Sequence, residues 1–405
     1  MKTIRWLGGA LVALGFVAAA GRAQSASDMV VSSDPQLRAL AAGLLPDLAR
    51  RAGMELKEPV RIELRSRDEL VRYLESKLDE ELPESEARQR VEAYALLGLV
   101  PPDLDLRRLL LGLYTEQVAG FYEPDSTALF VMDDQPPEAM EALLVHELVH
   151  AVQDQSVDLD ALTDAERGHD RATAAQAAIE GHATLVMLEY MAEQMTGEPV
   201  NLAEVPDFAS QVRPALEGMT EQYPELARAP RVIREGLLFP YLEGAGFVQS
   251  LWVSGERVPP FGTSLPESTE QVMKPQGSAS PVELEFAVPP STGRLLLQDV
   301  LGRFELGILL EDVLGMKEGV LSGSWDGDRY ALVEGPNGDH GLVSCIIWDS
   351  SEARDLYLEG VRGVSQRFGG DAEIEAIELG GLQATLLKVG VVGEVWVSRR
   401  RDSGR

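Results

Sequence analysis

His146-Glu147-Leu148-Val149-His150 is the stretch on which the reading of this chain turns. On a helix, two histidines four residues apart project from one face and can grip a single metal ion. The intervening glutamate lies about 100° round from the first and about 60° from the second, within reach of a water on the same ion. Two neutral imidazole ligands and a carboxylate placed as general base are the elements of metal-assisted hydrolysis. The flanking sequence agrees with a helix. Pro136-Pro137 suits a first turn. No Gly or Pro follows from Glu138 to Gln155, and Met140, Leu143, Leu144, Leu148, Ala151 and Val152 form an apolar stripe at helical spacing.

Catalytic zinc takes three protein ligands and keeps one position for water. The arrangement with Gly three and His six residues beyond the second histidine is excluded, because Gln153 and Ser156 stand there. Glu180, in a second helical run from about Thr173 to Met195, is the candidate third ligand, against the plainer reading of a surface carboxylate. His182 is the competitor. It lies about 200° from Glu180 on a regular helix, so it is read as a group supporting a ligand from behind, as a catalytic or substrate-contacting group near the ion, or as a surface histidine; in a purely structural zinc site it would be the candidate fourth ligand. Asp170 reads as the N-cap of this helix, and His340 as an exposed residue in a Gly/Asn/Asp-rich turn. Asp154, four residues after His150, either orients a ligand imidazole or is solvated. Four of the five histidines fall between positions 146 and 182, which favours one metal-centred site.

His146 to Asp154, HELVHAVQD, closely resembles the metal-binding helix of thermolysin-like peptidases. A downstream helix supplying a Glu ligand marks the gluzincin group of zinc metallopeptidases, and Glu180 matches that role. The wider chain resembles a group of exported bacterial H-E-x-x-H proteins. The resemblance rests on Leu113 to Pro124 (LYTEQVAGFYEP), Ala177 to Val186 (AAIEGHATLV), Phe239 to Val248 (FPYLEGAGFV), Ser268 to Pro275 (STEQVMKP) and Trp325 to Val333 (WDGDRYALV). That group often has His where Lys274 stands here, so the segment is given no site role. The resemblance implies one zinc ion, a peptide or protein substrate, and a sheet edge beside the cleft that pairs with extended peptide. Gly120 and Tyr122 would lie on that edge, in a hairpin formed by Gln117 to Tyr122, a turn at Glu123 to Ser126, and Ala128 to Asp133. A purely structural hairpin is the alternative. Tyr241, beside Pro240, is the candidate donor to an oxyanion, with Tyr122 and Tyr190 as competitors.

The N-terminus has Lys2 and Arg5 before an apolar run from Trp6 to Ala20, then small residues, the pattern of a secretory signal peptide over residues 1–23. The exported protein is expected in the periplasm or outside the cell, with no stable membrane insertion. Cys345 is the only cysteine, so no intramolecular disulfide can form and stability rests on the core. Losing Lys2, Arg5 and Arg22 with the leader removes three positives and takes the formal charge from -30 to -33. That charge disfavours nucleic acid and anionic membrane as partners.

Elsewhere the patterning predicts helices over residues 34–54, 66–82, 84–97 and 104–114, a strand at Val60 to Leu64, and a helix from Arg231 to Trp252 interrupted near Pro240. Residues 254–282 read as an extended connector. Beyond 283 the expectation is a helix from Leu295 to Leu314, strands near 329–333 and 341–348, a helix over 351–368, and strands near 372–379, 383–389 and 393–398. The fold class is therefore α+β: a mostly helical zincin-like domain with a small edge sheet over 24–253, then a smaller α+β domain over 283–405. The functional expectation is an exported zinc metallopeptidase with Glu147 as general base. The alternatives are a zinc hydrolase of a non-peptide amide or ester, and a zinc-binding or assembly protein without turnover.

Overall fold

The computed structural model describes residues 27–400 except 206–210, 212, 215–217, 219–222, 254–255, 277–278, 318 and 322. The expected leader lies outside the described residues, as does much of the proline-rich stretch after Pro199. The architecture is α+β. Its helices are α1 (Pro35–Ala52), α2 (Arg67–Glu81), α3 (Glu84–Leu96), α4 (Leu106–Gln117), α5 (Pro137–Asp154), α6 (Leu159–Leu162), α7 (His169–Thr196), α8 (Pro224–Arg228), α9 (Arg231–Trp252), α10 (Thr269–Met273), α11 (Gly302–Ile308) and α12 (Ser351–Gly363). The strands are β1 (Val30–Ser32), β2 (Val60–Arg65), β3 (Gly120–Glu123), β4 (Ala128–Met132), β5 (Leu284–Ala287), β6 (Arg294–Asp299), β7 (Trp325–Glu334), β8 (His340–Trp348), β9 (Ala372–Leu379), β10 (Leu382–Gly390) and β11 (Trp396–Arg399). Among the described residues no helix is long and apolar enough to cross a membrane.

Local chemistry sets the helix ends. The Asp34 carboxylate accepts from the amides of Gln36 and Leu37 to start α1, which stops at Gly53 in the left-handed region, φ 65°. Ser66 and Glu69 form a reciprocal capping box at the start of α2.

The first sheet has the order β1-β2-β4-β3, with β1, β2 and β4 parallel and β3 antiparallel on the outer edge. It packs with α1, α5, α7 and α9 around a core containing Leu45, Leu48, Ile62, Val131, Leu148 and Val248. The second sheet is antiparallel, β6-β7-β8-β10-β9. One of its core clusters joins Trp325, Tyr330 and Trp348 to α12 through Tyr357, and to α3 and its C-cap through Val91 and Leu97. A second cluster, which includes Cys345, joins it to the β5-β11 pair through Leu284 and Phe286. The helix α3 thus ties the N-terminal half to the C-terminal sheet.

Four sequence expectations need correction. The helix expected over Leu295 to Leu314 opens instead as strand β6. Leu295 and Leu297 pair with Val333 and Leu332 of β7, and Gly302 at φ 68° keeps α11 from extending backwards. Sheet pairing here overrides the helical propensity of leucine. The stretch expected to be extended contains α10, capped by Ser268, with Thr269 and Val272 buried. The interruption expected near Pro240 does not occur, and α9 runs unbroken through it. Asp170 is not an N-cap. The cap position of α7 is Gly168, and Asp170 is buried in the first turn, accepting from Thr269 Oγ1 and its amide.

The contact between α7 and α9 has no space to spare. A Cβ on Gly181 would lie 2.0 Å from the carbonyl carbon of Gly244, and one on Gly244 would lie 2.1 Å from the Ala177 carbonyl oxygen. Only two glycines permit backbone to meet backbone at this crossing. Gly244→Ala should therefore destabilise the fold by about 1–3 kcal/mol, in the manner of an overpacked core. Thermal unfolding measures this, and an unchanged midpoint would contradict the crossing.

Candidate metal centre

The helix α5 places His146, Glu147 and His150, and α7 places Glu180, with none of the four side chains more than 1% exposed. His146 Nε2 lies 3.0 Å from Glu180 Oε2 and 3.1 Å from His150 Nε2, and His150 Nε2 lies 3.4 Å from Glu180 Oε2. Ligand atoms held at roughly 2.0–2.2 Å around one tetrahedral ion stand roughly 3.3–3.6 Å apart. The three atoms are therefore within a few tenths of an ångström of the spacing that one ion requires. Among the described residues, these three form the only group of His, Cys, Asp and Glu side chains arranged to hold a metal ion. The donor set, two imidazoles and one carboxylate, suits zinc.

The electrostatics reflect this convergence. Burial alone would raise the Glu180 carboxyl, but His150 and hydrogen bonds from both imidazoles hold it at about 2. Burial pulls the His150 imidazole down, yet the charge and hydrogen bond of Glu180, with the charge of Glu147, raise it to about 9. His146 is lowered, by burial and by His150, against the pull of Glu180. The metal-free site thus keeps a proton on His150 at neutral pH.

The tautomer of His150 follows from the groups behind it. His182 Nε2 donates to the Ala52 carbonyl (3.1 Å), which leaves its Nδ1 to accept from Gln153 Nε2 (3.1 Å). Gln153 Nε2 also donates to the Ile179 carbonyl (3.0 Å), so Gln153 Oε1 is turned to accept from His150 Nδ1 (2.8 Å). With Nδ1 holding its hydrogen, the proton given up on metal binding is the one on His150 Nε2, which frees that lone pair for the ion. Burial lowers His182 to about 3, so it stays neutral in this chain.

Several expected roles change. His182 is buried, not at the surface, and of the readings open to it the structure favours support from behind α5, with Nδ1 on Gln153 and Nε2 on Ala52. Asp154 does not orient an imidazole. It accepts from the Tyr122 hydroxyl at 2.8 Å, and Gln153, one residue earlier, holds His150 instead. Gln153 went unrecognised in the sequence, although three residues from His150 is as good a helical neighbour as four. Tyr190 donates to Glu141 at 2.6 Å and has no part in the cluster. His340 is half-buried at the start of β8, with Nδ1 2.9 Å from the Glu92 carboxylate.

Two other expected residues do reach the centre. The backbone amide of Tyr122 donates to Glu147 Oε2 at 2.9 Å. The outer strand β3 thus supports the Glu147 carboxylate, and that amide is committed to it. A Cβ on Gly120 would lie 2.8 Å from the Phe130 carbonyl oxygen and 3.2 Å from Leu143, so glycine lets α5 pack close to β3. The Tyr241 ring stands 6.0 Å from that of His146. Burial and the charges of Glu180 and Glu147 hold the Tyr241 hydroxyl well above its ordinary value, so it stays protonated and able to donate. No family model, curated protein or solved structure matches this chain.

Two outcomes are expected. Zinc binding at pH 7 should release about one proton, that of His150, and apparent affinity should fall about tenfold per unit as pH drops below 9. Calorimetry in buffers of different ionisation enthalpy reads this directly, and zero release would contradict the assigned protonation. Gln153→Leu should leave the chain folded while weakening zinc binding by about 10–100-fold, as measured by competition with a chelator.

Proposed function

We propose that this chain is a zinc-dependent hydrolase of peptide bonds, arranged as in the gluzincins. The observation that supports this most is the meeting of His146, His150 and Glu180 with Glu147 beside them, its carboxylate aimed by the Tyr122 amide. His146, His150 and Glu180 would hold the ion. When bound, zinc would supply Lewis acidity, polarising the peptide carbonyl and acidifying water. Glu147 takes the proton from the attacking water and passes it to the leaving nitrogen. The Tyr122 amide keeps the carboxylate in one orientation through both transfers. Tyr241, which burial and carboxylates keep protonated, donates to the oxygen on which negative charge develops.

A purely structural zinc site would call for a fourth side-chain ligand, and His182 was the obvious candidate. With His182 bonded to Ala52 and Gln153, that reading loses its support. A non-peptide amide or ester would need the same residues and differs only in substrate. The reading of an exported protein rests on the sequence of residues 1–23 alone.

The zinc-loaded protein should cleave members of a diverse peptide pool, lose activity to a chelator and recover it with zinc. Glu147→Gln should lower kcat by at least about 100-fold while one zinc stays bound. Tyr241→Phe should lower kcat by about 100-fold or more with little change in KM. Undiminished cleavage by Glu147→Gln would remove the general-base assignment.

A further inference from the structure

Asp170, in the first turn of α7, and Asp328, on β7, stand on either side of Gly302 at the start of α11. Gly302 donates its amide to Asp328 Oδ1 at 2.9 Å, and a Cβ on it would lie 1.8 Å from Asp170 Oδ1. The two residues are 3% and 2% exposed. Asp170 accepts from the Thr269 amide at 3.1 Å and from the Thr269 hydroxyl. Asp328 accepts from the amides of Leu301 and Gly302, both at 2.9 Å, and from the Trp325 indole at 3.0 Å. Among the described residues, every hydrogen bond to either carboxylate thus comes from a neutral donor. Two buried anions with a single glycine between them repel in a medium that screens them poorly.

The cations around this junction are engaged elsewhere. His169, beside Asp170 on α7, pairs through Nε2 with Glu305 of α11 at 2.9 Å, and Glu305 also accepts from the Tyr94 hydroxyl. Arg90 of α3 pairs with Glu86 at 2.8 Å and lies 3.8 Å from Asp299 of β6. Arg303 of α11 lies 3.9 Å from Glu270 of α10. Behind Asp328, Tyr357 of α12 and Cys345 of β8 are held protonated by burial and by the charge of Asp328. Burial raises the Asp170 carboxyl to about 6, with Glu305 adding to it, against the bonds from Thr269 and the charge of His169. Burial raises Asp328 to about 7, with the charge of Asp170 adding to it, against the bonds from Leu301, Gly302 and Trp325.

We propose that Asp170 and Asp328 share one proton and form a pH-dependent latch, by which the C-terminal sheet grips α7 while the proton is held and frees its first turn when the proton leaves. The latch does not depend on the peptidase reading. One carboxylate belongs to the helix that carries Glu180 and the other to the C-terminal sheet, so their mutual energy acts directly on the contact between the two. A protonated carboxyl is a donor and can satisfy its neighbour, whereas two ionised ones push β7 and α7 apart. Glu180 lies ten residues beyond Asp170 on the same helix, about 15 Å along its axis, so freeing the first turn is felt at the ligand cluster. Both folded values stand above the ordinary 3.8, so the native state holds a proton that the unfolded chain has released. The contribution of the latch to stability is therefore full below 3.8, falls as pH rises through about 6 and about 7, and is lost above.

The experiment compares the full, zinc-loaded chain with its Asp170→Asn variant. The amide keeps an acceptor for Thr269 and offers Asp328 an N–H in place of the shared proton, without titrating. In infrared difference spectra between pH 5 and 8, wild type should lose a protonated-carboxyl band that Asp170→Asn lacks. Hydrogen exchange should show protection of the first turn of α7 and of residues 301–305 falling from pH 6 to pH 8 in wild type and holding in the variant. The half-time of zinc loss to a chelator, taken as variant over wild type, should be near unity at pH 6 and at least about fivefold at pH 8. Thr269→Val removes a donor to ionised Asp170 and should move the infrared and exchange transitions to higher pH, which decides the matter if Asp170→Asn does not fold. An identical carboxyl band in wild type and Asp170→Asn, or transitions that Thr269→Val leaves in place, would overturn the shared proton. Exchange protection and zinc retention indifferent to both pH and Asp170→Asn would overturn the latch.

Discussion

Burial of two carboxylates between helices is the constraint on which this structure depends. Glu147 and Glu180 are both fully removed from solvent. An unpaired buried carboxylate costs several kcal/mol at least, so each must find compensating partners. Glu180 finds them in His146 and His150, and Glu147 in the amide of Tyr122. These requirements fix α5 against α7 on one side and against β3 on the other. The glycines answer the same demand. Gly181 and Gly244 let α9 come against α7 backbone to backbone, and Gly120 lets β3 come against α5.

The other end of α7 is held by a second set of buried carboxylates. Asp299 accepts from the amide of His169, the first residue of the helix, while Glu305 pairs with its ring. Asp170 accepts from Thr269 and touches the α-carbon of Gly302 so closely that a Cβ there would lie 1.8 Å from its oxygen. Asp328, on β7, receives the amides of Leu301 and Gly302. The C-terminal sheet, α10 and α11 therefore all grip the helix that carries Glu180. Among the described residues the C-terminal half adds no side chain to the His146, His150 and Glu180 cluster, yet it sets the position of the helix that carries Glu180.

What could be read from the sequence follows from the range of the interactions. The grouping of His146, Glu147 and His150 is a property of one helix, and helical spacing alone brings it together. Glu180 was legible because few other donors exist in a chain with five histidines and one cysteine. Gln153 was missed because its role depends on His182, Ile179 and Ala52, which only tertiary packing brings near it. The role of His182 stayed open among several readings for the same reason: an angle of about 200° from Glu180 says which way it points, not what lies there. The error at Leu295 to Leu297 has a similar origin, because a leucine run has no fixed preference until β7 pairs with it.

The helix α9 shows how one structural detail decides several others. A break at Pro240, as the sequence suggested, would separate Tyr241 from the residues before it. Instead the helix continues, and Ile233, Gly236, Leu237, Pro240 and Tyr241 share one face. Three residues beyond Tyr241, Gly244 sits in the crossing with α7. The closeness of that crossing is what brings the Tyr241 ring beside His146 and its hydroxyl under the influence of Glu180 and Glu147. The same helix face then carries an apolar surface away from the ligand cluster. The ligand cluster on α5 and α7 and the apolar face of α9 are therefore held in register by a single pair of glycines. Any change that spreads the crossing must loosen both together.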